Sequence, residues 1–327
     1  MIGDGMSLAQ ISAAVYSAKD PIFLEQFPVV GLHKTHSHSD LVTDSAAAAT
    51  AFSTGKKSYN NAVAVDTDTL PLLTIAEQAR DLGYAVGLVT TTTITHATPA
   101  AFFAHQSNRV YDEKIALDLS ECRADLLIGG GQKYFTRRAD ERDLLKKMRK
   151  RGYRTESYFN TDLDETALGD SGKLIYFTAD GTPLSVEQGR DYLPFAARFA
   201  PMFLERRSDK GFFLMIEGGQ IDWGGHSKNG KTVLNETLDF NKAIGNVLRY
   251  AAADKETLVI VTADHETGGL AINPGSKRGK LKLAFNTNGH TAQLTPLFAY
   301  GPRAELFAGI YDNTAVYRKM QKAYGWR

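Results

Sequence analysis

The chain has 327 residues, with Lys+Arg 38 against Asp+Glu 37, a net charge of +1, 43% apolar residues and one cysteine. That length holds one large domain or two small ones, the charge balance gives no one-signed field to recruit nucleic acid or an anionic membrane, and the apolar content argues against disorder. No run of about 18 apolar residues suggests a membrane span, and Cys122 alone excludes an internal disulfide or a cysteine-rich zinc module, so any metal must use histidine and carboxylate ligands. At the start, Met1-Ile2 runs straight into Gly3-Asp4-Gly5, with none of the parts of a signal peptide. It reads as the end of a buried strand whose earlier part is missing, and an N-terminal truncation is expected. Buried strands are predicted over 84–90, 124–129, 212–217, 257–262 and 295–300, and helices over 45–53, 72–82, 139–151 and 234–253. Near-continuous apolar strands alternating with helices predict a doubly wound, mostly parallel α/β sheet covered by helices on both faces. Residues 152–195 are polar and turn-rich, and read as an insertion beside the sheet within a single domain spanning 1–327. The basic run 146–151 follows Asp140, Glu141 and Asp143, and reads as a solvated helix face rather than a nucleic-acid patch.

Ligands of open α/β sheets bind beyond the carboxyl ends of the strands, and the polar residues at those positions form a pattern. Asp4 follows the first apolar run; His96 and Thr98 follow the second, in TTTTITHAT; Glu217 ends FFLMIE, with Asp222 and His226 beyond it; Asp264 and His265 follow TLVIVTA; His290 precedes the last strand. Taken singly each is a plausible cap or turn residue. Asp222-x-x-x-His226 and Asp264-His265 differ, because each pairs a carboxylate with an imidazole, a mixture suited to zinc with an open position. Four carboxylates and four histidines at one edge are too many for one ion, and the carboxylates would repel without cations, so two or more metals are inferred. Thr43-Asp44-Ser45 before an alanine run reads as a helix N-terminus, an anion site where a serine facing metals can act as nucleophile. No Gly-x-Ser-x-Gly elbow is present.

Two motifs are set aside. Gly225 to Thr232 matches G-x-x-x-x-G-K-[ST], but residues 217–224 separate it from the preceding strand and it contains His226. His33, His36 and His38 read as an exposed strand or turn, which would put His36 and His38 on one face and His33 on the other.

The segments IGDGM (2–6), TDSAA (43–47), THATPA (95–100), EGGQID (217–222), TADHETGG (262–269) and GHT (289–291) resemble, in order, those of alkaline phosphatases. The resemblance runs to about residue 302. It implies that Ser45 is the nucleophile of a phosphoserine intermediate. Asp222, His226 and His290 would hold one zinc; Asp4, Asp264 and His265 a second; Asp4, Thr98 and Glu217 a third ion, usually magnesium. Arg109, thirteen residues after His96, takes the place of the phosphate clamp, and Asp44, His96 and Trp223 are assigned to substrate binding. His96 suits zinc better than magnesium at the third site, Trp223 leaves no lysine there to reach phosphate through water, and Ser7 stands where glycine is often found. Only 24 residues separate His265 from His290, too few for the surface domain of animal members. The implied activity is phosphomonoester hydrolysis on small phosphate esters, with inorganic phosphate as a further ligand, no nucleic-acid partner, a homodimer and a periplasmic or secreted location. The alternatives are a phosphodiesterase or nucleotide pyrophosphatase of the same superfamily, and a non-catalytic phosphate- or zinc-binding protein.

Overall fold

The computed structural model describes residues 1–167 and 172–326. Its centre is a ten-stranded sheet in the order β14-β2-β13-β8-β1-β7-β3-β4-β6-β5. The strands are β1 (Ile2–Gly3), β2 (Val29–Lys34), β3 (Ala85–Thr93), β4 (Leu126–Gly130), β5 (Tyr153–Ser157), β6 (Lys173–Phe177), β7 (Phe212–Gly218) and β8 (Val259–Thr262), with β13 (Thr295–Tyr300) and β14 (Gly309–Asp312) toward the C-terminus. Between them, β9 (Glu266–Thr267) pairs with β12 (His290–Thr291), and β10 (Leu270–Ile272) with β11 (Leu283–Phe285). Every pairing in the large sheet is parallel except those of β13 with β2 and β8. β3 and β4 are buried along their whole length, as apolar runs covered on both faces should be.

Two apolar layers cover the sheet. One includes the helices Ser45–Thr54 and Ile75–Asp81, the other Tyr192–Glu205 and Gly230–Asp254. The predicted helix at 45–53 forms as Ser45–Thr54, with Asp44 as its N-cap accepting from Ala47 N and Gly55 (φ +71°) ending it; all ten of its residues are buried. Such a cap contributes roughly 1 kcal/mol. Among the described residues no helix is long and apolar enough to cross a membrane.

Two expectations need correcting. The stretch 152–195, read as lying beside the sheet, supplies β5 and β6, which extend its edge beyond β4. Polar residues are tolerated there because an edge strand has solvent on one side. His33, read as exposed, lies on β2 and is fully buried, its Nε2 2.9 Å from Thr262 Oγ1 and its ring edge-on to Phe52. The helix Ser45–Thr54 covers that face of β2 through Phe52, which shuts solvent out. β2 ends at Lys34, so His36 and His38 lie beyond the strand on which the expected alternation rested; His38 is exposed.

Candidate active site

Register explains why distant residues meet. Ile2 on β1 stands opposite Glu217 on β7 and Thr262 on β8, and Thr90 on β3 stands opposite Glu217. Residues just past this row therefore emerge together at the carboxyl edge: Asp4 from β1, Asp264 and His265 from β8, Asp222 on the helix Gln220–His226 after β7. His290 reaches the same edge because β13 runs antiparallel to β8, and because β12 pairs His290 with Thr267. Gly5, at φ +70°, is needed for the close approach: a Cβ there would lie 2.7 Å from Thr267 Oγ1 and 2.9 Å from Asp222 Cα.

Three sets of side chains offer ligand atoms within 4.8 Å of one another: Asp4, Asp264 and His265; Asp222, His265 and His290; Asp4, His96 and Glu217. In the first, His265 Nε2 is 3.2 Å from Asp264 Oδ2 and 3.5 Å from Asp4 Oδ1. Around the second, Asp222 lies 3.2 Å from His226 Nε2 and 3.5 Å from His290 Nε2, and the two Nε2 atoms are 3.1 Å apart. Both imidazoles are oriented through Nδ1, His226 by Asn288 O at 2.6 Å and His290 by Thr43 O at 2.8 Å, which leaves Nε2 for the site. The first set is wholly buried, and in the third Asp4 and Glu217 are buried with His96 half-buried beside them. Glu217 Oε2 accepts from the hydroxyls of Thr90 and Thr92, while its Oε1 has no partner.

Both oxygens of Asp4, Asp264 Oδ2, Glu217 Oε1, Thr98 Oγ1 and His96 Nδ1 are buried without a hydrogen-bond partner. Native proteins rarely leave so many polar atoms unpaired in one place, and oxygen with imidazole nitrogen is a donor set for divalent cations. The electrostatics agree. Burial and the neighbouring carboxylates raise Asp4 well above its ordinary range, and burial lifts Asp264 to about 6 and Glu217 to about 7. Burial, then His290, holds His265 well below its usual value, so its ring is neutral.

Ser45, in the first turn of its helix, places Oγ 3.3 Å from His265 Nε2. Arg109 donates through Nη1 to Asp44 Oδ2 at 3.0 Å, while Nη2 lies 3.2 Å from His96 Nε2. Burial, then the Arg109 charge, lowers His96 to about 3, so its ring is neutral beside the guanidinium. Asp44, assigned to substrate binding from the sequence, caps the serine helix and orients Arg109. Trp223 packs edge-on to His96 at 6.2 Å. All thirteen residues singled out from the sequence thus gather at this edge.

The sequence reading missed Thr267, whose hydroxyl donates to Asp222 and lies 3.2 Å from His265 Nδ1, and Glu266, which accepts from Gln10 and Thr291 beneath the site. Thr90 and Thr92 were visible only as an unusual run of threonines in a buried strand. The P-loop look-alike is a helix junction: Asn229 caps the helix Gly230–Asp254 with its side chain, and His226 faces Asp222.

The alkaline phosphatase family model matches residues 1–283. This chain belongs to the alkaline phosphatase family. It is 33% identical to alkaline phosphatase 3 of Bacillus subtilis over 99% of this chain and 87% of that protein. It is 31% identical to the Escherichia coli K12 alkaline phosphatase over 99% of this chain and 85% of that protein. Among solved structures, the alkaline phosphatase of the Antarctic bacterium TAB5 superposes with a TM-score of 0.93 at 41% identity, covering 100% of this chain and 96% of that one. This phosphatase is accordingly a phosphoric monoester hydrolase on an alkaline-phosphatase-like fold. His290 lies beyond the family-model match but within the reach of these relatives.

Proposed function

We propose that this phosphatase cleaves monoesters by two successive displacements at phosphorus, with Ser45 as the first nucleophile. The observation that carries this reading is the meeting, at one helix N-terminus, of Ser45 Oγ, Arg109 and a ring of buried donor atoms without protein partners. Asp222, His226 and His290 would hold one zinc, and Asp4, Asp264 and His265 a second. Asp4, Thr98 and Glu217 would hold a third ion, with His96 beside them favouring zinc over the expected magnesium. A solved variant of the TAB5 enzyme with a histidine replaced by aspartate has magnesium bound in its M3 site. When bound, the cations supply Lewis acidity, lowering the pKa of the serine hydroxyl and of water and offsetting charge on the entering and leaving oxygens.

The chain's own residues do the rest. Ser45 Oγ gives up its proton and bonds to phosphorus as the ester P–O bond breaks; water then attacks the phosphoserine and Oγ departs. Two inversions retain configuration at phosphorus. The helix N-terminus favours the phosphate dianion. Arg109, held by Asp44 and His96, presents its remaining N–H donors to the phosphate oxygens, a paired contact that lysine cannot make. Since these groups grip phosphate and none of them is directed at the alcohol, a broad range of monoesters is expected. We extend the family reading to an exported homodimer without a nucleic-acid partner, which light scattering and fractionation of the native host would check.

The test compares p-nitrophenyl phosphate with bis-p-nitrophenyl phosphate on protein loaded with zinc and magnesium at alkaline pH. Strong preference for the monoester, abolished by a chelator, is the expected result; preference for the diester would move the chain to the phosphodiesterase branch. Phosphate carried covalently on Ser45 after acid quench, and lost in Ser45→Ala, is the direct readout of the intermediate.

A further inference from the structure

Ser45 and Arg109 share a scaffold. The strip 60–65, an uncharged NNAVAV, runs beside both. Toward the serine helix, Asn60 Oδ1 accepts from the Asp44 N–H at 3.2 Å, and Thr50 Oγ1 donates to Ala62 O at 3.1 Å and accepts from the Ala64 N–H at 2.9 Å. Toward the clamp, Val63 and Gln106 exchange antiparallel N–H···O bonds at 2.9 and 3.0 Å, and the Arg109 N–H donates to Asn61 O at 2.9 Å. A shift of this strip therefore moves the guanidinium relative to the nucleophile.

Ala64 sits at φ +44°, a region that residues with a Cβ rarely enter, and such backbone persists only where its surroundings fix it. Its carbonyl accepts from the Leu72 N–H at 2.9 Å and lies 2.9 Å from His105 Nδ1. The other ring nitrogen, Nε2, is 3.2 Å from Glu77 Oε1 on the helix Ile75–Asp81. Glu77 Oε2 is already taken by the Thr74 N–H at 3.0 Å. Both nitrogens of His105 thus face oxygens that only accept, and a ring with one N–H satisfies just one of them. Asp118, on the helix Asp112–Glu121, accepts from the His105 backbone N–H at 3.0 Å and adds a second negative charge near the ring. Arg80 acts on Glu77 from the same helix, while neither the strip nor the serine helix carries a charge. Burial opposes a charge on the ring, yet the Glu77 and Ala64 bonds and the two carboxylates raise His105 above its ordinary value. Burial opposes ionised Glu77 too, yet the His105 and Thr74 bonds lower it.

We propose that His105 is a positioning residue for Arg109: as an imidazolium it ties the Ala64 carbonyl to Glu77 and so locks the strip, and loss of its proton at alkaline pH loosens the grip on phosphate. This role rests on the reading of Arg109 as the phosphate clamp. The single N–H of the neutral ring stays with the carboxylate, where the bond is charge-assisted, so the contact given up is the one to Ala64. The proton leaves to solvent, since the side chain is 20% exposed. A histidine pKa raised on folding contributes stability that is complete below about pH 6.5 and is lost as pH rises through the raised value. Product phosphate is therefore released more readily as pH rises.

The test uses protein loaded with zinc and magnesium, and follows the inhibition constant of inorganic phosphate from about pH 6.5 to about pH 10 in this chain and in Glu77→Gln. With the Thr74 N–H fixing the side-chain oxygen, the amide of that variant presents its own N–H to His105 Nε2, so a neutral ring keeps both contacts at every pH. The ratio of the two constants, chain over variant, should rise from about 1 to about three- to tenfold across this range; the ionisation of phosphate itself cancels in the ratio. By NMR, the His105 Cε1–H resonance should titrate above about 6.5 in the chain and lose that step in the variant. His105→Gln, with no charge at that position, should show the raised constant already at the low end of the range; if it does not fold, the Glu77→Gln ratio and the resonance decide. A flat ratio, or a ring that titrates at or below about 6.5, would overturn the proposal. An Arg109→Ala chain with unchanged phosphate inhibition would sink the clamp and the His105 role together, whereas a raised constant in that chain beside a flat ratio would sink the His105 role alone.

Discussion

At the outer end of the site, Asp222 sits among His226, His265 and His290. Burial alone would raise its carboxyl, but the His226 hydrogen bond and the neighbouring imidazoles hold it below the usual range. His226 in turn is lifted to about 9 by its bond to Asp222. At the inner end, Asp4, Glu217 and Asp264 face one another, the Arg109 charge favouring ionised Asp4 and the His290 charge ionised Asp264, yet burial leaves all three raised. The outer end carries its own compensation; the inner end depends on ions from outside. Placing acids where water is excluded is costly in the empty protein, and on the proposed reading a doubly charged cation would offset that cost.

The largest effect expected is at Ser45, which stands beside both ends. Ser45→Ala should lower kcat at least about a thousandfold while elemental analysis finds the metal content unchanged; undiminished turnover would reject the nucleophile. Arg109→Ala should raise the inhibition constant for inorganic phosphate by about ten- to a hundredfold, with Arg109→Lys recovering only part, since one ammonium cannot reproduce the fork. An unchanged constant would remove the clamp.

Metal removal separates the ends by pH. A carboxyl raised on folding binds more protons in the native than in the unfolded chain, so its favourable contribution is complete below the unfolded pKa and is lost as pH rises through the folded one. In metal-stripped protein, stability should therefore fall from about pH 4 to about pH 7, the window set by Asp264 and Glu217. Thermal melts of metal-loaded protein should lack this decline, and identical profiles for the two forms would contradict the inner-site account. Glu217→Gln should stabilise the stripped protein by about 1 kcal/mol and cost it the third ion; destabilisation would show that Glu217 is held well by Thr90 and Thr92 without a cation. The smallest change in stability is expected at His226, whose side chain is 42% exposed: His226→Ala should alter Tm by no more than about 1–2 °C, yet lose about one zinc per chain.

Much of the site was legible along the chain. Asp4, Glu217, Asp264 and His265 each follow an apolar run, and Asp44-Ser45 precedes an alanine run that reads as a helix start. These are local signals, carried by periodicity and by the chemistry of strand ends and caps. The supporting residues were not legible in the same way. Thr267 meets Asp222 across 45 positions and Thr92 meets Glu217 across 125. A threonine in a strand looks the same whether its hydroxyl faces a carboxylate or a backbone carbonyl.

The same distinction governs the fold. Hydrophobic runs and their lengths, set by burial on both faces, were enough to specify an α/β sheet and the edge on which ligands gather. Strand order and register come from pairings between residues hundreds of positions apart, so only the tertiary structure decided that 152–195 continues the sheet and that His33 points into the core. Local propensity determines which segments can be strands; the competition for backbone partners determines which strand each one meets.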